Sequence, residues 1–308
     1  MTAPRRALLA ALITVSLWAS AFVGIRAAGE DLSAGALSLG RLLVGSAVLG
    51  VVVLWRRERL PPRTDQAPLV VCGVLWFGVY NVALNEAERR VDAGTAAILV
   101  NVGPVLIALL AGVMLKEGFP RTLLAGCGIA FTGAVVIGLA SSSASSVGAL
   151  GVALCLVAAA AYAAGVVAQK PLLDRSSPLM ITFLACTIGA VVCLPFAPQL
   201  ASEIEPASAE NLSWMLYLGV FPTALAFTTW AYALRTTSAG RMGSTTYLVP
   251  PLAVLMGWAI LDETPPVLAL AGGVLCVAGA ALARRPPTSR SRRAGAARVR
   301  RPPSTRTR

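Results

Sequence analysis

The chain has 308 residues, 56% of them hydrophobic and only 13% charged, with a mean hydropathy of +0.74, a balance that excludes an ordinary soluble domain. It contains no histidine, which removes His-based zinc sites, Ser-His or Cys-His catalysis and histidine proton relays. The net charge of +12 is largely a tail property, because residues 284–308 carry ten arginines and no acid.

Taken in chain order, long apolar runs separated by short charged breaks predict ten membrane helices, at about 7–28, 34–55, 67–85, 93–115, 121–140, 147–169, 177–197, 212–234, 240–261 and 265–283. Run length and the Ala, Leu, Gly and Val content favour helices over the short alternating strands of a barrel. The first run follows Arg5 and Arg6 and contains Ala19-Ser20-Ala21, as a cleaved leader would, but it continues to Ala28 and reads as a membrane helix. The third and eighth runs have the least distinct boundaries, because Asn81, Asn85, Thr228 and Thr229 interrupt them. The cysteines (72, 127, 155, 186, 193 and 276) all fall inside predicted spans without a C-x-x-C pair, and read as packing residues with no disulfide or metal role.

In a ten-helix arrangement the loop arginines and lysines, from Arg5 and Arg6 to Arg235 and Arg241, fall on one side, with Arg89 and Arg90 alone against the trend. Most acids, including Glu30, Asp31, Glu203, Glu205 and Glu263, fall on the other. The positive-inside rule then places both termini in the cytoplasm. The Arg-rich tail at 284–308 reads as a disordered cytoplasmic segment lying on anionic lipid headgroups, with no nucleic-acid partner.

The chain also contains itself twice. Ala93–Ala134 aligns with Ala239–Ala280 without a gap, at a constant spacing of 146 residues and with roughly a third of positions identical. The identities include Gly94 and Gly240, Pro104 and Pro250, Glu117 and Glu263, and Gly133 and Gly279. Trp18 to Arg26 is echoed by Tyr162 to Lys170, an aromatic followed eight residues later by a cation. The predicted organisation is a five-helix repeat over 1–140, a Ser-rich linker at 141–146, a second repeat over 147–283 and the tail. An odd number of spans per repeat inverts one copy relative to the other, the architecture of secondary transporters.

The W-x-S-x-F-x-x-x-R run from Trp18 to Arg26, the intramembrane Arg41 and the two small-residue, Pro, apolar, Glu spans carry a resemblance. Together they resemble the EamA-type branch of the drug/metabolite transporter superfamily, over residues 7 to about 283. The resemblance implies a bacterial inner-membrane carrier, usually exporting small metabolites such as amino acids or their derivatives by alternating access, as a monomer or homodimer. Drug or lipid-linked-sugar transport by the same superfamily is the alternative it leaves open. An intramembrane enzyme would need a nucleophile–base pair or clustered acids, and neither is visible. No Walker-type phosphate loop is present and no cofactor is implied.

Arg41 is the sharpest candidate on the substrate path. A guanidinium stays charged inside a bilayer and must face protein or water, so Arg41 either binds a substrate carboxylate or phosphate or is a structural cation held by carbonyls or by Glu86 or Asp92. Pro104 and Pro250 fall mid-span and are expected to kink it and free a carbonyl, with Asn101 and Tyr247 one turn earlier on the same face. Trp18, Asn81, Tyr162, Gln169 and Trp230 complete the candidate path. Glu117 and Glu263, at the ends of the fourth and ninth spans, read as gating acids or, preferably, as caps for the helix that follows each. In the 146-residue register the counterpart of Arg41 is the neutral Thr187.

Overall fold

A computed structural model describes residues 3–91, 96, 99–141, 149–261 and 266–285. Every regular element among them is helical. Helix α1 spans Ala3–Ala28 and α2 spans Ala34–Arg56. Helix α3 runs over Arg63–Glu88, opening with a 3₁₀ turn at Arg63–Asp65 and passing through a π-helical segment at Gly73–Val79. Helices α4 (Gly103–Met114), α5 (Arg121–Ser141) and α6 (Ala149–Leu172) follow. Helix α7 (Pro178–Val192) bends by 52° into the segment that ends in α8 (Ala197–Ile204). Helix α9 covers Ala209–Arg235, with a second π-helical segment at Gly219–Leu225. The chain closes with α10 (Ala239–Thr245), α11 (Val249–Leu261) and α12 (Val267–Ala283).

Six of these helices (α1, α2, α3, α5, α6 and α9) are long and apolar enough to cross a bilayer, and the bent α7–α8 pair would make seven. The chain is therefore a polytopic helical membrane protein. Its outer faces carry large apolar residues such as Leu54, Trp55, Val113, Val267 and Val274, as a lipid-facing surface requires. Its inner faces are built from small residues, with Ala158, Ala159, Ala161, Ala163 and Gly165 of α6 all buried. Small residues let helix backbones approach in a medium where water exclusion does not drive association.

The fourth and ninth apolar runs depart from the expectation of continuous, proline-kinked spans. Pro104 lies in the first turn of α4, and Pro250 is the second residue of α11, which a 3₁₀ turn at Thr246–Leu248 separates from α10. A first-turn proline sacrifices an amide that has no intrahelical partner, so each proline starts a new helix after a break.

Duplication is visible in the packing. Gly126 of α5 abuts Gly279 and Ala283 of α12, while Gly133 abuts Gly272 and Cys276. Early residues of one helix meet late residues of the other, so α5 and α12 pack antiparallel, and the two glycine contacts exchange under the 146-residue register. Cys276 Sγ donates to Ala130 O at 3.4 Å, joining a pair separated by that same 146 residues. The π-helical segments at Gly73–Val79 and Gly219–Leu225 also stand at equivalent positions. Helices α2 and α7 follow a register two residues shorter. Ser33 and Ser177, 144 residues apart, both cap the helix they precede. Gly73 packs on Ala185 O and Ile188, whereas Gly219 packs on Arg41 O and Val44. The counterpart of Arg41 is therefore Ala185, not Thr187, because the connection after α7 is two residues longer than the one after α2.

Candidate functional site

Residues Ala34 to Leu42 of α2 are buried without exception, which carries Arg41 into the interior with 5% of its surface exposed. Its Nε donates to Thr223 Oγ1 at 3.1 Å. Thr223 belongs to the π-helical segment of α9, where Pro222 supplies no amide and the helix widens by one residue. The same loosening exposes Pro222 O, which accepts from Trp18 Nε1 at 3.3 Å. The Tyr80 phenol, the Cys186 thiol and the Glu88 carboxylate lie in the neighbourhood of the guanidinium. No carboxylate lies within ion-pair distance of Arg41 among the described residues. Glu86, one anchor considered for it, pairs with Arg90 at 2.6 Å instead. Asp92, the other, lies outside the described residues.

An aromatic cluster adjoins this cation through Tyr80. Tyr80 meets Tyr162 at 5.9 Å between ring centroids, Tyr162 meets Trp76 at 5.5 Å, and Trp76 meets Phe227 at 5.0 Å. Trp18 stands 5.1 Å from Trp230 and 6.2 Å from Trp76. Edge and tilted contacts of this kind add to the area each ring buries. The cluster draws on α1, α3, α6 and α9, so Trp18, Tyr162 and Trp230, widely separated in the chain, come together.

The other candidates sort into distinct positions. Asn81 is buried and bonds within its own helix, Nδ2 donating to Phe77 O at 2.8 Å, so it braces the π-helical segment of α3. Tyr247 Oη donates to Asn101 O at 3.1 Å, linking the two broken runs just before Pro104 and Pro250. Gly103, at the start of α4, lies against the Tyr162 ring, which ties this crossing to the aromatic cluster. Gln169 is fully buried on α6, two turns beyond Tyr162, with neither amide atom hydrogen-bonded.

Glu117 does act as a cap, but for a different helix from the expected α5. Its Oε1 accepts from Ala239 N at 2.7 Å and its Oε2 from Gly240 N at 3.2 Å, at the start of α10. Lys116 and Gly118 on either side take left-handed φ values of 56° and 72°, and this tight reversal turns the carboxylate towards the second half of the chain. Lys170 Nζ closes the same end by donating to Leu234 O at 2.8 Å. Glu263 lies outside the described residues. At the opposite end Asp31 Oδ2 accepts from Ser208 N and Asn211 Nδ2, both at 2.8 Å, which holds its carboxyl below the ordinary value of 3.8. Ser33 N donates to Glu203 there at 2.7 Å.

Sequence reasoning missed Thr223, Asn85 and Ser38 around Arg41, and Trp76, Tyr80 and Phe227 in the aromatic cluster. Asn85 Nδ2 donates to Ser38 Oγ at 2.9 Å in a buried pair one turn from Arg41 along α2. Trp76 and Tyr80, four residues apart, share a helical face, and that spacing is the signal that could have found them. Thr223, set beside a proline in an apolar run, carried no such signal.

The EamA-like transporter family model matches the chain twice, at residues 5–139 and 149–285. Among relatives, a Streptantibioticus cattleyicolor protein named "Probable terminal-alkyne amino-acid exporter" is 36% identical, over 94% of this chain and 97% of its own length. The "Uncharacterized transporter YdfC" of Bacillus subtilis is 32% identical over 87% of each chain. A solved crystal structure superposes with a TM-score of 0.73 at 20% identity, covering 90% of this chain and 96% of the other, and shares the fold. Two matches that together span most of the chain, and relatives aligned nearly end to end, place this chain in the EamA-like transporter family.

Proposed function

We propose that this protein is a secondary transporter that exports small metabolites, amino acids or their derivatives, by alternating access, and that it is not an enzyme. The carrying observation is Arg41, a buried permanent cation with a neutral hydroxyl as its hydrogen-bond partner, set beside an aromatic cluster. A substrate carboxylate supplies the contact ion pair that no described carboxylate makes with Arg41, and a guanidinium binds it in a forked geometry. Apolar side chains of the solute are accommodated by the neighbouring rings. The name of the S. cattleyicolor relative supports an amino-acid cargo, and the relatives' names support transport over catalysis.

In this reading ten spans form two inverted five-helix repeats, with both termini on the cytoplasmic face of a bacterial plasma membrane. The antiparallel contact of α5 and α12 and the paired family matches support the inversion. Loop charge supports the orientation, and it puts Glu117 and Lys170 at the cytoplasmic end and Asp31 at the outer end. The Arg-rich tail rests on anionic headgroups of the inner leaflet.

Efflux from a bacterial host tests the proposal. Cells expressing the chain and loaded with labelled amino acids should lose at least one of them faster than cells carrying empty vector. Equal rates across the panel, with the protein present in the membrane, would contradict it.

A further inference from the structure

Two side-chain contacts join the repeats, one at each end of the helices. At one end Arg175, in the turn between α6 and α7, donates from a guanidinium nitrogen to Asp65 Oδ1 at 2.9 Å. Asp65 closes the 3₁₀ turn that opens α3. At the other end Asn211, in the first turn of α9, donates from Nδ2 to Asp31 Oδ2 at 2.8 Å. Asp31 lies in the turn between α1 and α2. Each contact crosses from one repeat to the other, over 110 residues in the first case and 180 in the second.

These are equivalent contacts, made twice. In the 144-residue register that relates α1 to α6 and α2 to α7, Asp31 is the counterpart of Arg175. In the 146-residue register of α3 and α9, Asp65 is the counterpart of Asn211. Their burial matches as well. Asp65 and Asn211 are buried, at 3% and 7% exposure, whereas Asp31 and Arg175 are exposed. The chemistry differs, an amide donating to an acid at one end and a cation to an acid at the other. What the two ends share is therefore the tie, from an exposed turn of one repeat to a buried helix start of the other. Because one partner already faces water, such a pair can part at small cost when the helices separate.

We infer that the two contacts are gate ties of an alternating-access cycle. Asp65–Arg175 holds the cytoplasmic end shut and parts when the path opens inward. Asp31–Asn211 holds the outer end shut and parts when the path opens outward. In inverted repeats, opening at one end is the same motion as opening at the other, so the two closures fall at equivalent positions. The inference rests on the transporter reading and on its orientation.

Cys186 supplies a native reporter. Its thiol is fully buried and donates to Leu42 O at 3.4 Å, one residue past Arg41. The test uses the full chain as wild type, Arg175→Ala and Asp31→Ala, in right-side-out and inside-out membrane vesicles. A membrane-impermeant methanethiosulfonate reagent is the probe, and Cys186→Ala versions define labelling at other thiols. Arg175→Ala should label Cys186 about 2–5-fold faster than wild type in inside-out vesicles only, the population shift that loss of a partly exposed pair allows. Asp31→Ala should show the same gain in right-side-out vesicles only. Arg175→Lys and Asp31→Glu, which keep each charge, should return towards the wild-type rate, separating a lost tie from misfolding. A static brace would lower Tm in both alanine variants without favouring a side. An unchanged rate in either alanine variant, or a gain on any other side, would overturn the inference. If the wild type still carries amino acids, the transporter reading stands without the gates. A folded wild type that carries none of the panel would overturn both.

Discussion

At the scale of single residues, the site is built from groups whose partners lie far away in sequence. Arg41 and Thr223 are 182 residues apart, and nothing local to either announces the contact. The presence of an intramembrane arginine was legible, because a permanent charge in an apolar run must be used or shielded. Its surroundings were not, since they arise where α9 widens around Pro222. Replacing Thr223 with valine keeps the shape and removes the hydrogen bond. It should lower stability by about 1–3 kcal/mol, seen as a reduced Tm, because a buried charged donor loses its partner. Asp31 gives a pH-dependent counterpart outside the spans. Its folded pKa lies below 3.8 chiefly through the Ser208 amide and then the Asn211 amide, so its contribution is present above that value and lost as pH falls through the folded pKa. Melting followed from pH 6 to pH 3 should show the wild type losing its advantage over Asp31→Asn only at the acid end. A constant difference across the range would contradict this role.

At the scale of elements, the apolar runs and most helix boundaries follow from hydropathy, and the interruptions do not. Asn81 and Thr228 blurred the third and eighth runs, and it is in these runs that both π-helical segments fall. Gly73 and Gly219, which open those segments, each pack against a carbonyl and a branched side chain of a crossing helix. That selection is tertiary and leaves no periodic trace. The prolines were legible as landmarks but not as helix starts. Residues Asn101 and Tyr247, expected to line the path on the face of the prolines, are joined across the repeats by the Tyr247 Oη bond to Asn101 O. The α5–α12 crossing depends on glycine at its contact points, where a Cβ on Gly133 would meet the Gly272 carbonyl at 2.5 Å. Gly133→Leu should therefore destabilise the protein by about 1–3 kcal/mol through overpacking, read as lower Tm and lower folded yield in detergent. An unchanged Tm would show that the backbones separate without cost.

At the scale of the whole molecule, the repeats make an approximately two-fold frame, and the polar groups break its symmetry. Arg41 faces Ala185 as its counterpart, Gln169 faces Ile25, and Trp230 faces Leu84. On the proposed transporter reading, a frame of equivalent helices lets the two ends open in turn, and the unmatched polar residues give the proposed path its chemistry. The contacts closing each end fit this division. Glu117 and Lys170 join separate helices at one end, and Asp31 and Glu203 do so at the other. Repetition and loop charge were legible in the sequence as a pattern over the whole chain. The particular ties were not, because the residue Glu117 caps is 122 positions away.

The most direct measurement is counterflow in proteoliposomes, comparing the purified wild type with Arg41→Ala. Vesicles preloaded with one unlabelled amino acid should accumulate the labelled form transiently when they contain wild type. They should do so at least tenfold more slowly with the folded variant, since a bidentate charge-assisted contact with the substrate has been removed. Wild-type rates in the variant would remove Arg41 from the substrate path and contradict the account at its centre.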